Sequence, residues 1–122
     1  MLVADTSALF ALFAIDDPHH ARARVELSRQ RAFAVPSEIL TETLAILQRR
    51  FGREASQAAF ETLVAIPHAR IAATRQAVVD RAVASSRQGG PLTYQDWIVV
   101  HSCALAGAQP WTYDNDLRRA CR

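Results

Sequence analysis

The sequence predicts an α/β fold in which a short parallel sheet of four strands is flanked by helices. Three observations lead there. Short apolar runs alternate with longer stretches of helical periodicity. Helix-starting and helix-stopping residues fall between them. The 122 residues carry no repeats, linkers or low-complexity stretches, which leaves room for one hydrophobic core and one domain spanning 1–122.

Leu2-Val3-Ala4 is the first strand, and Asp5-Thr6-Ser7 caps an apolar helix running through Ala8 to Ile15. Asp16-Asp17-Pro18 breaks that helix and opens a second over residues 19 to 31, with Pro18 at its first position. Phe33-Ala34-Val35 is the second strand, and Pro36-Ser37 opens a third helix to about Arg50, with Ile39, Leu40, Leu44, Ile46 and Leu47 as its apolar face. Gly52 ends it, and an amphipathic helix covers 53 to 65. After Pro67, Ala69 to Ala73 is the third strand; Thr74 caps a helix through Arg87, and Gly89-Gly90-Pro91 breaks the chain. Thr93 starts a helix that ends at Gly107. Gln109 to Tyr113 is the fourth strand, and a short helix follows from Asn115.

Half of the residues are hydrophobic and 21% are charged, the profile of a globular protein rather than a disordered one. The longest apolar run near the start, Ala8 to Ile15, falls far short of the about 20 residues of a membrane span. No basic residue precedes Asp5, so no signal peptide is expected, and a cytoplasmic location without membrane association follows. Cys103 and Cys121 form no C-x-x-C pair and are expected to be reduced thiols, Cys103 buried. The net charge is +2, and all 14 basic residues are arginine. Arginine suits bidentate phosphate contact, although biased base composition also yields this pattern. The absence of lysine rules out any mechanism that needs one.

The acidic residues carry the chemistry. Asp5 ends the first strand and Asp114 the last, and ligand sites in open parallel sheets form at the carboxyl ends of strands. Asp96 lies in the first turn of the helix started by Thr93. Glu42 lies between Ile39 and Ile46, within the apolar stripe of its helix, where an unpaired charge is costly. Each aspartate also has a local explanation. Asp5 and Asp114 are good N-caps, and Asp96 stands three residues after Thr93 as in a capping box. Capping cannot explain Glu42. The histidines, His19, His20, His68 and His101, form no H-x-H or H-E-x-x-H, which argues against a zinc hydrolase. No G-x-S-x-G or P-loop is present. Trp97 and Trp111 are expected in the core, and no aromatic platform for base stacking is evident.

At this point the sequence resembles a known family. Leu2-Val3-Ala4-Asp5-Thr6-Ser7-Ala8-Leu9, Asp17-Pro18-His19-His20-Ala21-Arg22-Ala23, Ser37-Glu38-Ile39-Leu40-Thr41-Glu42-Thr43-Leu44, Leu92-Thr93-Tyr94-Gln95-Asp96-Trp97 with Ala104-Leu105-Ala106-Gly107-Ala108, and Thr112-Tyr113-Asp114-Asn115-Asp116-Leu117 follow one another as in the PIN-domain nucleases. Within these they are similar to the VapC toxins of bacterial toxin–antitoxin pairs. The resemblance covers nearly the whole chain. It implies a PIN-like, Rossmann-like three-layer fold and an Mg²⁺-dependent endoribonuclease, with Mn²⁺ as the other candidate ion. Asp5, Glu42, Asp96 and Asp114 would be the acidic quartet, with Asp5, Asp96 and Asp114 on the metal. Asp116 would assist through water, and Thr6 and Thr112 would supply hydroxyls beside the site. Glu38 is the rival to Glu42, one turn earlier. The implied partners are an RNA substrate, a cognate VapB-like antitoxin and a second copy in a homodimer. The apolar helices at 37–51 and 54–66 are candidate contact surfaces. Family members commonly add one more short strand after the final helix, so the sheet is expected to be one strand smaller or the chain shortened. A PIN-like RNA-processing nuclease outside a toxin system and a non-catalytic RNA- or protein-binding module are the alternatives; a receiver-like signalling domain fails for want of a lysine.

Overall fold

The computed structural model describes all residues from Met1 to Arg122. It contains β1 (Leu2–Ala4), α1 (Thr6–Phe13), α2 (His20–Arg29), β2 (Phe33–Pro36), α3 (Ser37–Phe51), α4 (Arg53–Ala65), β3 (Ala69–Ala72), α5 (Gln76–Ser86), α6 (Tyr94–Ala106), β4 (Gln109–Trp111) and α7 (Asn115–Ala120). The strands form one sheet in the order β3-β2-β1-β4, with every pairing parallel. Parallel crossovers are right-handed. The connections β1→β2 and β2→β3 step the same way and place α1 to α4 on one face, while β3→β4 steps back and places α5 and α6 on the other. The helix contacts agree: α1 packs on α2 and α3, α3 on α4, and α5 on α6. The result is the three-layer α/β architecture the sequence predicts, with four strands. No helix is long and apolar enough to cross a membrane.

The main core joins the strands to both helical layers. Val3 and Ala4 of β1, Phe33 and Val35 of β2 and Trp111 of β4 meet Leu9, Ile39 and Leu63 from the first layer and Val99 and Cys103 from the second. Phe33 sits edge-on to Trp111 at 5.5 Å, a favoured aromatic geometry. A smaller cluster of Val78, Ala82 and Ile98 binds α5 to α6. Cys103 is buried and Cys121 half-buried, both as free thiols.

Several local expectations are corrected. The first helix stops at Phe13, leaving Ile15 83% exposed. The second starts at His20, because residues 17–19 form a turn closed by the His20 amide on the Asp17 carbonyl at 3.0 Å. Thr74 does not cap α5. Arg75 holds that position without a side-chain cap, and the Thr74 hydroxyl donates to Glu38 Oε1 at 2.5 Å instead. The last strand ends at Trp111, and Thr112 and Tyr113 are released into the turn that begins the acidic edge. Pro110, which has no amide to donate, lies in this edge strand, where it is tolerated.

Gly107 sets the direction in which the chain leaves α6 for β4. It closes α6 in the left-handed region, with φ of 62°, and a Cβ built there would meet nothing within 4 Å. Gly107→Ala therefore introduces backbone strain without a clash, an expected loss of about 1–2 kcal/mol measured by chemical denaturation. A variant as stable as the parent would contradict this view of the junction.

Candidate active site

The site is built at the carboxyl edge of the sheet. The register pairs Ala4 with Trp111, so the next residue of each strand, Asp5 and Thr112, emerge side by side. The Asp5 amide donates to the Trp111 carbonyl at 3.0 Å, and the Thr112 hydroxyl donates to Asp5 Oδ2 at 2.6 Å. The Ser7 hydroxyl donates to the same oxygen at 2.8 Å, and the Thr6 amide to Oδ1 at 2.6 Å. Asp5 is only 3% exposed. Burial pushes its carboxyl above the ordinary 3.8, bonds from Thr112 and Ser7 pull it back, and the nearby charge of Asp96 raises it further.

Asp114 follows two residues after Thr112, its amide donating to Thr112 Oγ1 at 3.0 Å. Its Oδ1 caps α7, accepting from the amides of Asp116 at 2.8 Å and Leu117 at 3.3 Å. Asp96 forms the capping box read from the sequence: its Oδ2 accepts from the Thr93 amide at 2.8 Å, and its own amide donates to Thr93 Oγ1 at 3.3 Å. Capping uses one oxygen of each carboxylate, which leaves Asp114 Oδ2 and Asp96 Oδ1 without a hydrogen bond. The local and the chemical readings of these residues are therefore compatible.

Glu42 needs a correction. The buried stripe of α3 is Ile39, Thr43 and Leu47, with Glu42 half-buried on its flank rather than inside it. Ile46 is only half-buried too, so the stripe advances by four residues instead of straddling Glu42. Glu42 lines a cleft with Ser37, Glu38, Thr41, Tyr94 and Gln95, where α3 meets the start of α6 one residue from Asp96. Glu38 faces the same cleft, but its Oε1 accepts from Ser37 at 3.0 Å and from Thr74, which ties it into the scaffold; Glu42 accepts no hydrogen bond. Asp116 ion-pairs with Arg119 on the surface of α7 and is not drawn toward the other acids.

No group of three Asp, Glu, His or Cys side chains is placed to hold a metal ion by itself. A hard cation such as Mg²⁺ keeps several waters and needs only one or two direct carboxylates, so fewer than three protein ligands would suffice. The donor set fits as well. It is all oxygen, Asp5 Oδ1 has accepted only one bond, and the hydroxyl of the next residue, Thr6, is buried without a partner.

The structure also reveals residues the sequence did not single out. Tyr113, between Thr112 and Asp114, stacks on His19 and donates to Glu26 of α2, while its amide donates to Ser7 Oγ at 2.9 Å. The only hint in the sequence was an aromatic residue inside the acidic motif.

The PIN domain family model matches residues 2–122, and the chain belongs to the PIN domain family. A comparison with curated proteins finds no match. Among solved structures, the chain is similar to VapC20 of Mycobacterium tuberculosis, described as a sarcin–ricin-loop-cleaving toxin, with a TM-score of 0.87 and 22% identity over 98% of this chain and 95% of that one. It is similar to a chain of the VapBC2 assembly of Rickettsia felis bound to a promoter DNA fragment, with a TM-score of 0.72 and 11% identity over 98% and 92%. It also resembles a chain of a toxin–antitoxin complex from Klebsiella pneumoniae, with a TM-score of 0.62 and 20% identity over 90% and 83%.

The raised value of Asp5 has a consequence for stability. Between pH 3.8 and the higher native value, the folded chain holds a proton that the unfolded chain has released. The associated stabilisation is complete below 3.8 and is lost as pH rises through the native value. Asp5→Asn keeps an N-cap of equal rank, and the Ser7 and Thr112 hydroxyls can turn to accept from its amide. In metal-free buffer this variant is expected to melt above the parent at pH 7, the difference shrinking as the pH falls toward 3.8. A lower melting temperature at pH 7 would contradict the assignment of a destabilising buried charge.

Proposed function

We propose that this PIN domain is a metal-dependent endoribonuclease that hydrolyses RNA phosphodiester bonds, acting as the VapC-like toxin of a type II toxin–antitoxin pair in the cytoplasm. The observation that carries the reading is the parallel register that sets Asp5 against Thr112 and within reach of the Asp96 charge. The similarity to a sarcin–ricin-loop-cleaving toxin supports RNA as substrate. The similarity to chains of toxin–antitoxin assemblies supports a VapB-like antitoxin partner. A homodimer is part of the same proposal; α3 and α4 leave Phe51 and Val64 exposed as apolar contact surface.

Asp5, Asp96 and Asp114 would hold Mg²⁺ or Mn²⁺ through the carboxylate oxygens that capping leaves unused. When bound, such an ion lowers the pKa of its water and neutralises charge on the phosphate. The chain's own residues do the rest. Thr112 and Ser7 fix the Asp5 carboxylate so that it does not reorganise when substrate arrives. Glu42, free of hydrogen bonds in its cleft, orients the attacking water and takes its proton. Thr6 presents its unpartnered hydroxyl beside Asp5, and Arg118 holds the Thr112 carbonyl at 2.6 Å, keeping the turn between Thr112 and Asp114 in place. Asp116, engaged by Arg119, shapes the start of α7 and assists through water only when that pair opens.

Incubating the purified protein with a structured RNA tests this reading. Cleavage is expected with Mg²⁺ or Mn²⁺ and none with a chelator. Glu42→Gln should lower the rate by about 10²–10⁴-fold, the range for loss of a general base, and Asp5→Asn should abolish cleavage. Cleavage by Asp5→Asn at the parent's rate would refute the proposed site.

A further inference from the structure

Around Tyr113, which packs against the main core and directly precedes Asp114, lies a cluster of polar and aromatic side chains partly open to solvent. The Tyr113 phenol donates to Glu26 Oε1 at 2.5 Å, and Trp111 Nε1 donates to the same oxygen at 3.4 Å. Arg22, one turn before Glu26, pairs with that carboxylate at 3.6 Å and lies 4.9 Å from the centre of the Tyr113 ring. The His19 imidazole stacks on the ring with centroids 4.5 Å apart and planes at 22°.

Two features separate this cluster from ordinary packing. His19 and Arg22 are exposed, so little apolar burial accounts for the stack. The ring is instead locked at its polar end by Glu26. The His19 side chain makes no capping bond to α2, while its amide is held by Asp17 Oδ1 at 2.8 Å. An imidazole is thus presented to solvent on an aromatic base whose residue directly precedes Asp114 and whose amide reaches the Asp5 carboxylate through two hydrogen bonds, by way of Ser7. Unpaired RNA bases stack on aromatic and guanidinium planes, and arginine recognises phosphate through its planar fork. A carboxylate-rich edge repels the RNA backbone and needs such anchors beside it.

We propose that the His19–Tyr113–Arg22 stack is the subsite for the nucleotide flanking the scissile phosphate in single-stranded RNA, the base lying on His19 and Arg22 meeting the adjoining phosphate. This rests on the nuclease reading above. Glu26 is the positioning residue that fixes the Tyr113 ring. A protein side chain stacking in the same place is the competing use of the surface.

The test uses the full chain and a short fluorescent single-stranded RNA. In Mg²⁺, His19→Ala should raise KM about tenfold, as loss of one base stack does, with kcat changed less than twofold, and His19→Tyr should restore KM. On RNA with an abasic nucleotide beside the cleavage position mapped for the parent, His19→Ala should have no further effect. An unchanged KM, or an equal penalty on the abasic RNA, would overturn the subsite. A parent that cleaves neither this RNA nor the structured RNA with Mg²⁺ or Mn²⁺ would defeat the nuclease reading instead. The subsite is then decided by anisotropy of the same RNA on Asp5→Asn, where adding His19→Ala should weaken binding about tenfold; equal binding overturns it.

Discussion

A carboxylate almost without solvent must be held by donors, and Asp5 is held at once from the end of β4 and the start of α1. The β1–β4 register brings Thr112 to its Oδ2, and the first turn of α1 supplies the Thr6 amide and the Ser7 hydroxyl. The rest of the acidic edge follows from this junction. Thr112 Oγ1 accepts the Asp114 amide, Ser7 Oγ accepts the Tyr113 amide, and Tyr113 reaches across to α2. Shifting β4 by one residue against β1 would move Thr112 away from Asp5 and turn the adjacent side chains to the other face of the sheet, dismantling the core and the site together.

The three aspartates show how one residue can serve both fold and chemistry. A capping carboxylate accepts amide bonds at a helix start, where the partial positive charge of the helix favours its anionic form. In Asp96 and Asp114 the capping bonds occupy one oxygen only. The helices therefore orient these groups while the second oxygen stays free of hydrogen bonds. Asp5 lies deeper, where desolvation opposes its charge; a divalent cation would relieve that opposition.

Local signals were legible in the sequence and non-local ones were not. Every strand and helix, the Thr93–Asp96 capping box and the helix end at Gly107 depend on a few neighbouring residues, and their existence, though not every boundary, was legible without a structure. Thr74 was misread because a hydroxyl at a plausible cap position met a stronger acceptor, Glu38, from another element. Glu42 was placed in the apolar stripe by counting from Ile39 to Ile46, whereas packing selected the row Ile39, Thr43 and Leu47. The stack of His19 and Arg22 on Tyr113 joins opposite ends of the chain through the crossover topology, and no periodicity in either segment announces it.

The central claim is that acids separated along the chain share one divalent ion at the sheet edge. Electron paramagnetic resonance of Mn²⁺ titrated into the parent, Asp5→Asn and Asp96→Asn measures this directly. Tight Mn²⁺ binding by the parent and its loss in both variants is the predicted result. Equal Mn²⁺ binding by all three proteins would contradict it.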